Sequence, residues 1–362
     1  MTAESGKKER DSRIELLRVI SMMMIMIMHC MASSGALYDQ SGWTALFYWW
    51  VEALCISSVD VFVLISGYFL VSTKFHSKSI MRLLGTVWSY AFLASLICAL
   101  ACGEKLSAGS LIRMMCPILT KKYWFVNAYL GMLILSPFMN RLIHTISRKQ
   151  MNYLVVFLLI MLVIRPTVLP KSWAQDLSAG LSVFFFVGLY FLAAWLRLYG
   201  EKIRQCSSWY YLLTYFAISV FLPLIRSLMI CVGINSETAT HFYNYTSAFV
   251  VLQAVSLFCL FLNIKPIRGS ASALINTLAK YSFAAYIIHY PLNPILWNWF
   301  RVGLSLTNIP LGSLRILGSV LTAYICCAAI EAMRQKVLMA LPANPYVERV
   351  QVKWDELVNA DL

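Results

Sequence analysis

Residues 14–34 read IELLRVISMMMIMIMHCMASS, an apolar run whose only acidic, basic or imidazole side chains are Glu15, Arg18 and His29. A helix rises about 1.5 Å per residue, so a run of this length extends for about 30 Å, which is the thickness of the hydrocarbon core of a bilayer. The run therefore predicts a transmembrane helix, and similar runs recur along the chain as far as Ile330.

The composition extends this interpretation to the whole chain. The 362 residues are 60% hydrophobic and 13% charged, whereas soluble domains are about 45–50% apolar and about 25% charged. A soluble enzyme, a nucleic-acid-binding domain and a disordered chain are thereby excluded. The apolar runs predict an all-α polytopic membrane protein of about ten transmembrane helices, at residues 14–34, 45–71, 80–103, 124–143, 151–169, 178–198, 209–231, 243–263, 281–300 and 311–333.

Two of these spans contain proline near their ends. The fifth apolar run ends at Arg165-Pro166, and the ninth span contains Pro291 and Pro294. Because proline lacks an N–H group and clashes with the preceding helical turn, we expect a kink or a break near the end of the ninth span.

Basic residues predict the orientation in the membrane. With a cytoplasmic N-terminus, 20 of the 30 Lys and Arg residues fall in inner segments and 7 in outer segments, and the other three lie within spans. By the positive-inside rule both termini are cytoplasmic, and the net charge of +14 needs no nucleic acid to explain it. The predicted organisation is a cytoplasmic segment at 1–13, a ten-helix membrane domain at 14–334 and a polar cytoplasmic tail at 335–362.

Ionisable side chains inside a span are costly and are therefore functional candidates. Arg18 and His29 are 11 positions apart, which is about 16.5 Å of rise and about 20° beyond three full turns, so both project from one helix face. The alternative is a structural role, with Arg18 reaching the inner headgroups and His29 lying at the outer interface.

The second and ninth spans also contain polar side chains at membrane depth. Asp60 is a carboxylate near mid-membrane that needs a cation or hydrogen-bond donors. It either orients a histidine or an arginine in the site, or forms a structural pair with an arginine of another span. Ser282, Tyr286 and His289 fall at i, i+4 and i+7, so they form one polar stripe on an apolar helix.

Several further residues have two interpretations. Trp124 and Tyr129, at the start of the fourth span, suit either the outer aromatic belt or a substrate platform, and Asn127 lies between them. Near span ends, a structural or snorkelling role is the main alternative to catalysis for Glu52, Arg226, Arg315 and Glu331.

Motifs of other enzyme classes are missing from the sequence. It contains no H-E-x-x-H or similar ligand spacing, no Walker sequence, no G-x-S-x-G and no G-x-G-x-x-G. Cys98, Cys102, Cys259, Cys326 and Cys327 lie within apolar runs, and no two of the ten cysteines form a C-x-x-C pair, so we interpret them as small buried side chains. We predict no metal site.

Four motifs occur in order on spans one, two, four and nine. They are Arg18 followed after ten residues by His29, Val59-Asp60-Val-Phe62-x-x-x-Ser66-Gly67, Trp124-Phe125-x-x-x-Tyr129, and Ser282-Phe-x-x-Tyr286-x-x-His289. Together they resemble the acyltransferase 3 family of integral-membrane O-acyltransferases, from about Arg13 to Glu331. The sequence departs from the family pattern at Glu15, where many members have Asp, and at Tyr68, where Phe is common.

The resemblance implies an enzyme that moves an acetyl or other acyl group from cytoplasmic acyl-CoA to a hydroxyl of a cell-surface glycan or of its lipid-linked precursor. It also implies a multi-pass protein of the plasma membrane from a bacterial source, with acetyl-CoA as the donor substrate and with membrane lipids as neighbours. The alternative is a transporter or flippase for a lipid-linked sugar, which uses the same polar residues as a translocation path.

Site residues follow from the motifs and from the predicted topology. We expect His29 to be catalytic, either as general base on the acceptor hydroxyl or as an acyl-imidazole relay, and Asp60 to assist it. The expected partners of the CoA phosphates are basic residues of the cytoplasmic side, namely Arg18, Lys74, Lys78 and Arg82. The expected substrate or tunnel residues are Glu52, Ser66, Trp124, Asn127, Tyr286 and His289.

Overall fold

The computed structural model describes residues 10–102, 109, 123–170, 173, 180–340 and 345–359. These residues form helices, and no strand occurs among them. In chain order the helices are α1 (Ser12–Ser33), α2 (Gly42–Cys55), α3 (Ser58–Leu70), α4 (Ser77–Cys102), α5 (Trp124–Thr145), α6 (Arg148–Val168), α7 (Val183–Leu198), α8 (Ser208–Cys231), α9 (Ala248–Asn263), α10 (Gly269–Trp299), α11 (Ile309–Ala340) and α12 (Pro345–Asn359).

Six segments of the described chain are long and apolar enough to cross a membrane, namely Ser12–Ser33, Gly42–Leu70, Arg148–Val168, Ser208–Cys231, His241–Asn263 and Ile309–Leu338. They coincide with the first, second, fifth, seventh, eighth and tenth predicted spans. The prediction of an all-α polytopic membrane protein is thereby confirmed. The count of ten spans and the cytoplasmic location of both termini stay predictions.

Helix α1 lies at the centre of the bundle. Asp11 caps its first turn, accepting a hydrogen bond from the Arg13 backbone N–H at 3.1 Å. The side-chain hydrogen bond from Arg13 to Asp11 lowers the pKa of that carboxyl. From this start α1 packs against α2, α3, α9, α10 and α11, and Leu17 and Met26 on it are completely buried.

Helices α1 and α10 run side by side in a constant register. Ser12 hydrogen-bonds to Ser272 near one end of the pair, and His29 contacts His289 near the other, with 260 positions between the partners in both cases. Two contacts with the same sequence offset require parallel helices. His29 therefore lies against α10 at the end of α1 opposite to Ser12.

The second predicted span, 45–71, is divided into α2 and α3. A break in a membrane helix frees carbonyl groups that the hydrocarbon cannot satisfy, and side chains of neighbouring elements satisfy them here. The Gln253 amide donates to the Ala53 carbonyl at 2.9 Å, and the Tyr215 hydroxyl donates to that of Leu54. The Tyr243 hydroxyl donates at 3.1 Å to the Trp49 carbonyl, which lies within α2 before the break. The apolar run continues through the break, so hydropathy alone predicts a single helix.

The structure also differs from the expectation at the prolines. Helix α10 begins at Gly269, earlier than predicted, and is assigned as one helix as far as Trp299. The expected break does not occur within it, and the expected kink stays a prediction. A proline removes one backbone hydrogen bond, and flanking bonds and neighbouring helices can hold the helix together. In α6, a π-helical turn at Ile160–Ile164 precedes Arg165-Pro166, and such a turn accommodates a missing N–H group.

Beyond residue 334, α11 continues to Ala340 and α12 packs against α4. Asp355 accepts a hydrogen bond from the Ser77 backbone N–H at 2.7 Å. The Asn359 amide exchanges two hydrogen bonds with the Phe75 backbone, at 3.1 and 3.0 Å. Burial alone would raise the pKa of the Asp355 carboxyl, but the hydrogen bonds from Ser77 and the neighbouring His76 lower it overall.

Helices α3 and α7 approach each other at Gly67. A Cβ atom at this position would lie 2.9 Å from Cα and 3.0 Å from the carbonyl oxygen of Tyr190. Both are backbone atoms of α7 and cannot rotate away, so only glycine allows this approach.

We expect Gly67→Ala to lower the free energy of unfolding by about 1–3 kcal/mol, because the added methyl group pushes the two backbones apart. Denaturant or thermal unfolding of the purified protein in detergent measures this loss. The matched control is Gly85→Ala on α4, where an added Cβ meets nothing within 4 Å. Equal stability of the two variants would contradict the close approach.

Candidate active site

His29 on α1 and His289 on α10 form a hydrogen-bonded pair. Nδ1 of His29 lies 2.8 Å from Nε2 of His289, and the two rings lie edge to edge in nearly parallel planes, with their centroids 5.0 Å apart at an angle of 12°. His289 is 1% exposed, and its Nδ1 lies 2.9 Å from the carbonyl oxygen of Ala285. The sequence predicts each histidine as a site residue, but the contact between them comes from the fold.

The polar stripe of α10 faces the protein interior. The Ser282 hydroxyl lies 2.9 Å from the Tyr324 hydroxyl of α11, and both side chains are buried. The Tyr286 ring packs against Phe125 and lies with its centroid 6.0 Å from that of His289. The stripe thus leads along α10 to the histidine pair.

A cavity of about 400 Å³ lies beside this stripe, which is within the usual size range of small-molecule sites. Its walls come from α1, α3, α4, α5, α10 and α11. Ile25 and Tyr286 line it, one helical turn before His29 and His289 respectively. The cavity therefore approaches the histidine pair from the side of the bundle where α1 and α4 begin.

Three basic residues lie on the wall of this cavity: Arg18, Arg82 and Lys280. Arg18 forms an ion pair with Glu15 at 2.8 Å. Lys74 and Lys78, which the sequence groups with Arg18 and Arg82, are exposed and do not line the cavity. An anion that enters from this side meets positive charge on the cavity wall itself.

Ser66 and Tyr129 form a polar contact on the opposite wall. The Ser66 hydroxyl donates to the Phe62 carbonyl at 2.9 Å and lies 3.0 Å from the Tyr129 hydroxyl, which therefore donates to it. Ser66 and Tyr286 are the two predicted tunnel residues that line the cavity.

Glu331 also lines this cavity, and its carboxylate is fully hydrogen-bonded. It accepts from the Tyr90 hydroxyl at 2.6 Å, from the Arg334 guanidinium at 2.7 Å through both oxygens, and from the Gln335 amide at 2.8 Å. A carboxylate with this many donors joins α4 to α11, which agrees with the structural interpretation of Glu331.

Two other buried carboxylates are not satisfied in this way. Both oxygens of Asp60, which is 0% exposed, and Oε2 of Glu52 have no hydrogen-bond partner among the described residues. No histidine or arginine of the described residues is hydrogen-bonded to Asp60, and its expected role as a partner of such a group stays a prediction. The hydroxyls of Ser57 and Ser58, at the break between α2 and α3, are unpartnered as well.

Tyr245 connects this region to the polar stripe. Its hydroxyl lies within electrostatic range of Glu52, Asp60 and Tyr286. The Trp124 ring packs on the Tyr245 ring with centroids 5.6 Å apart, so Trp124 belongs to this side of the stripe. Asn127 is half-buried, and like Glu52 and Trp124 it does not line the 400 Å³ cavity.

Sequence reasoning missed two functional candidates. Lys280 lines the cavity, but the sequence shows it only as a basic residue before the ninth span, because α10 begins at Gly269 and places Lys280 well inside the helix. Tyr245 follows an apparent loop, and no spacing relates it to Asp60. Among the described residues, no group of three or more His, Cys, Asp or Glu side chains is arranged to hold a metal ion.

Comparison with known proteins shows the family of the chain. No curated protein and no solved structure matches the chain. A family model described as an acyltransferase domain, that of the acyltransferase 3 family, matches residues 11–331. This match covers helix α1, both histidines and the cavity lining as far as Glu331. The chain belongs to the acyltransferase 3 family of membrane acyltransferases.

Proposed function

We propose that this protein is an acyl-CoA-dependent O-acetyltransferase of the bacterial plasma membrane. It moves an acetyl group, or a related acyl group, from cytoplasmic acyl-CoA to a hydroxyl of a surface glycan or of its lipid-linked precursor. The observation that supports this proposal best is the cavity of about 400 Å³. Its wall has basic residues at the side where α1 begins, and it extends to the helical turn that precedes the histidine pair.

The donor enters from the cytoplasmic side. CoA carries several phosphate charges, and guanidinium groups bind phosphate through paired hydrogen bonds. Arg18, Arg82 and Lys280 are on the cavity wall and bind these charges directly. Lys74 and Lys78 are exposed nearby and attract the anion at longer range.

The acyl end of the donor follows the cavity towards the histidines. Beyond the basic residues the wall is mostly apolar, with Ile25 and Phe125 on it, and this suits an uncharged arm that ends in a thioester. From Arg18 to His29 the helix rises about 16.5 Å. The thioester carbonyl is then brought to the level of the histidine pair.

His29 acts as general base at that level. Its imidazole takes the proton of the acceptor hydroxyl while the oxygen attacks the thioester carbonyl. The C–O bond forms, the C–S bond breaks, and the CoA thiolate takes the proton from His29, so an ester and free CoA result. In the alternative acyl-imidazole mechanism the acetyl group is first transferred from CoA to a nitrogen of His29 and then to the acceptor hydroxyl.

The acceptor binds on the Tyr245 side of the stripe. A carboxylate that lacks protein donors can accept hydrogen bonds from hydroxyl groups, and Asp60 and Glu52 offer such oxygens. Trp124 and Tyr245 add aromatic faces against which a sugar ring can pack. Asn127 lies one helical turn from Trp124 and is the remaining acceptor-side candidate.

His29→Ala should lower the rate of thioester cleavage by at least about 100-fold, because the acceptor then has no base. Release of free CoA from acetyl-CoA by the purified protein in liposomes measures this rate. His144→Gln is the control, since His144 contacts the Val71 carbonyl away from the pair. Full activity of His29→Ala would contradict both mechanisms, and a folded wild type without turnover would favour the transporter.

Arg82→Gln should raise the KM for acetyl-CoA about 2–5-fold without changing kcat, because it removes one exposed positive charge from the cavity wall. Lys74→Gln removes a charge of the same sign outside the wall and should have a smaller effect. The KM of the wild type should also rise with ionic strength. Equal effects of the two substitutions would show that only the net charge of this side matters.

Asp60→Asn should leave the melting temperature unchanged or higher, because it removes a buried carboxyl that lacks a protein partner. Transfer to the acceptor should nevertheless fall by at least about 10-fold, the effect of losing one charge-assisted hydrogen bond. Melting in detergent and incorporation of labelled acetyl into the glycan or lipid fraction of membranes measure the two quantities. A large drop in melting temperature would assign Asp60 a structural role instead.

A further inference from the structure

The hydrogen bond between His289 and Ala285 determines where the protons of the histidine pair lie. A carbonyl oxygen only accepts, so Nδ1 of His289, at 2.9 Å from the Ala285 oxygen, must carry a proton. A neutral imidazole has a single N–H group, so Nε2 of His289 is then an acceptor. Nδ1 of His29, at 2.8 Å from it, must be the donor.

This proton arrangement leaves Nε2 of His29 with a free lone pair. His29 is half-buried, whereas His289 is almost completely buried. The nitrogen that remains available to a substrate is therefore the unprotonated one, as a general base requires.

The neutral state of His289 follows from its surroundings. It lies inside a membrane helix bundle, and none of the ion pairs of the described residues involves either histidine of the pair. A buried cation without a carboxylate partner is strongly unfavourable. Two neutral rings joined by one N–H···N hydrogen bond avoid this cost.

We infer that His289 is a positioning residue, which holds His29 in the tautomer with a bare Nε2 and fixes the orientation of its ring. This inference rests on the proposed function of His29 as a general base. Ala285 lies one turn before His289 on α10, so the helix itself sets the direction of the proton chain before any substrate binds. The parallel register of α1 and α10 keeps the two rings edge to edge.

Positioning also helps after proton transfer. When His29 has accepted the acceptor proton at Nε2, its Nδ1–H still donates to His289, so the imidazolium keeps a hydrogen-bonded partner in a medium that lacks water. This stabilises the charged state more than the neutral one, as an orienting group does in other base–nucleophile pairs.

Two substitutions of His289 separate this role from simple packing. In His289→Gln the side-chain oxygen can still accept from Nδ1 of His29, whereas in His289→Phe a ring of similar size has no acceptor. We expect His289→Phe to lower kcat for thioester cleavage by at least about 100-fold, with KM for acetyl-CoA within about 3-fold of wild type. His289→Gln should retain kcat within about 10-fold, and His144→Gln should behave as wild type.

A second measurement reads the tautomer directly in the wild-type protein. The chain has five histidines, so ¹⁵N-labelled histidine gives a spectrum that single substitutions can assign. Nε2 of His29 should show the shift of an unprotonated nitrogen and Nδ1 that of an N–H group. In folded His289→Phe the two tautomers of His29 should both be populated.

The outcomes are distinct. Wild-type kcat in His289→Phe, equal loss of kcat in the Gln and Phe variants, or a wild-type His29 protonated at Nε2 would each overturn the positioning role. Full activity of His29→Ala would instead remove the proposed function on which that role depends.

Discussion

Hydrocarbon offers no hydrogen-bond partner, so every backbone group that leaves a helix inside the membrane must find one in the protein. The break between α2 and α3 is where this constraint is most demanding. Side chains of Tyr215 and Gln253 satisfy its carbonyl groups, and in doing so they fix α8 and α9 against α2. The break in turn allows α3 to start deep inside the bundle, where Asp60 is surrounded by protein on all sides.

Glu331 and Asp60 show how one type of side chain serves different purposes in the same bundle. Glu331 accepts hydrogen bonds from three side chains, and these bonds join α4 to α11. Asp60 accepts no hydrogen bond from the described residues, so both of its carboxylate oxygens can accept hydrogen bonds from a ligand. A buried polar group without partners destabilises the fold, and such groups are retained where they act on a ligand.

The sequence predicts the helices and the faces of helices well, because both depend on local periodicity. Arg18 and His29 do share a face, and Ser282, Tyr286 and His289 do form an inward stripe. The contacts between helices cannot be predicted in this way, because periodicity shows which face of a helix is buried but not which other helix that face packs against. Three features of the site depend on that missing information. They are the pairing of residues 260 positions apart, the lack of a hydrogen-bond partner for Asp60 among the described residues, and the exposure of Lys74 and Lys78 outside the cavity.

The contacts of α12 relate residues 345–359 to the basic side of the cavity. Asp355 and Asn359 hold the backbone of Phe75 and Ser77, and the same segment leads directly into Ser79 and Arg82 on the cavity wall. During synthesis α4 leaves the ribosome long before residues 345–359 do. The contacts that α12 makes with Phe75 and Ser77 can therefore form only after all the helices that line the cavity have been synthesised.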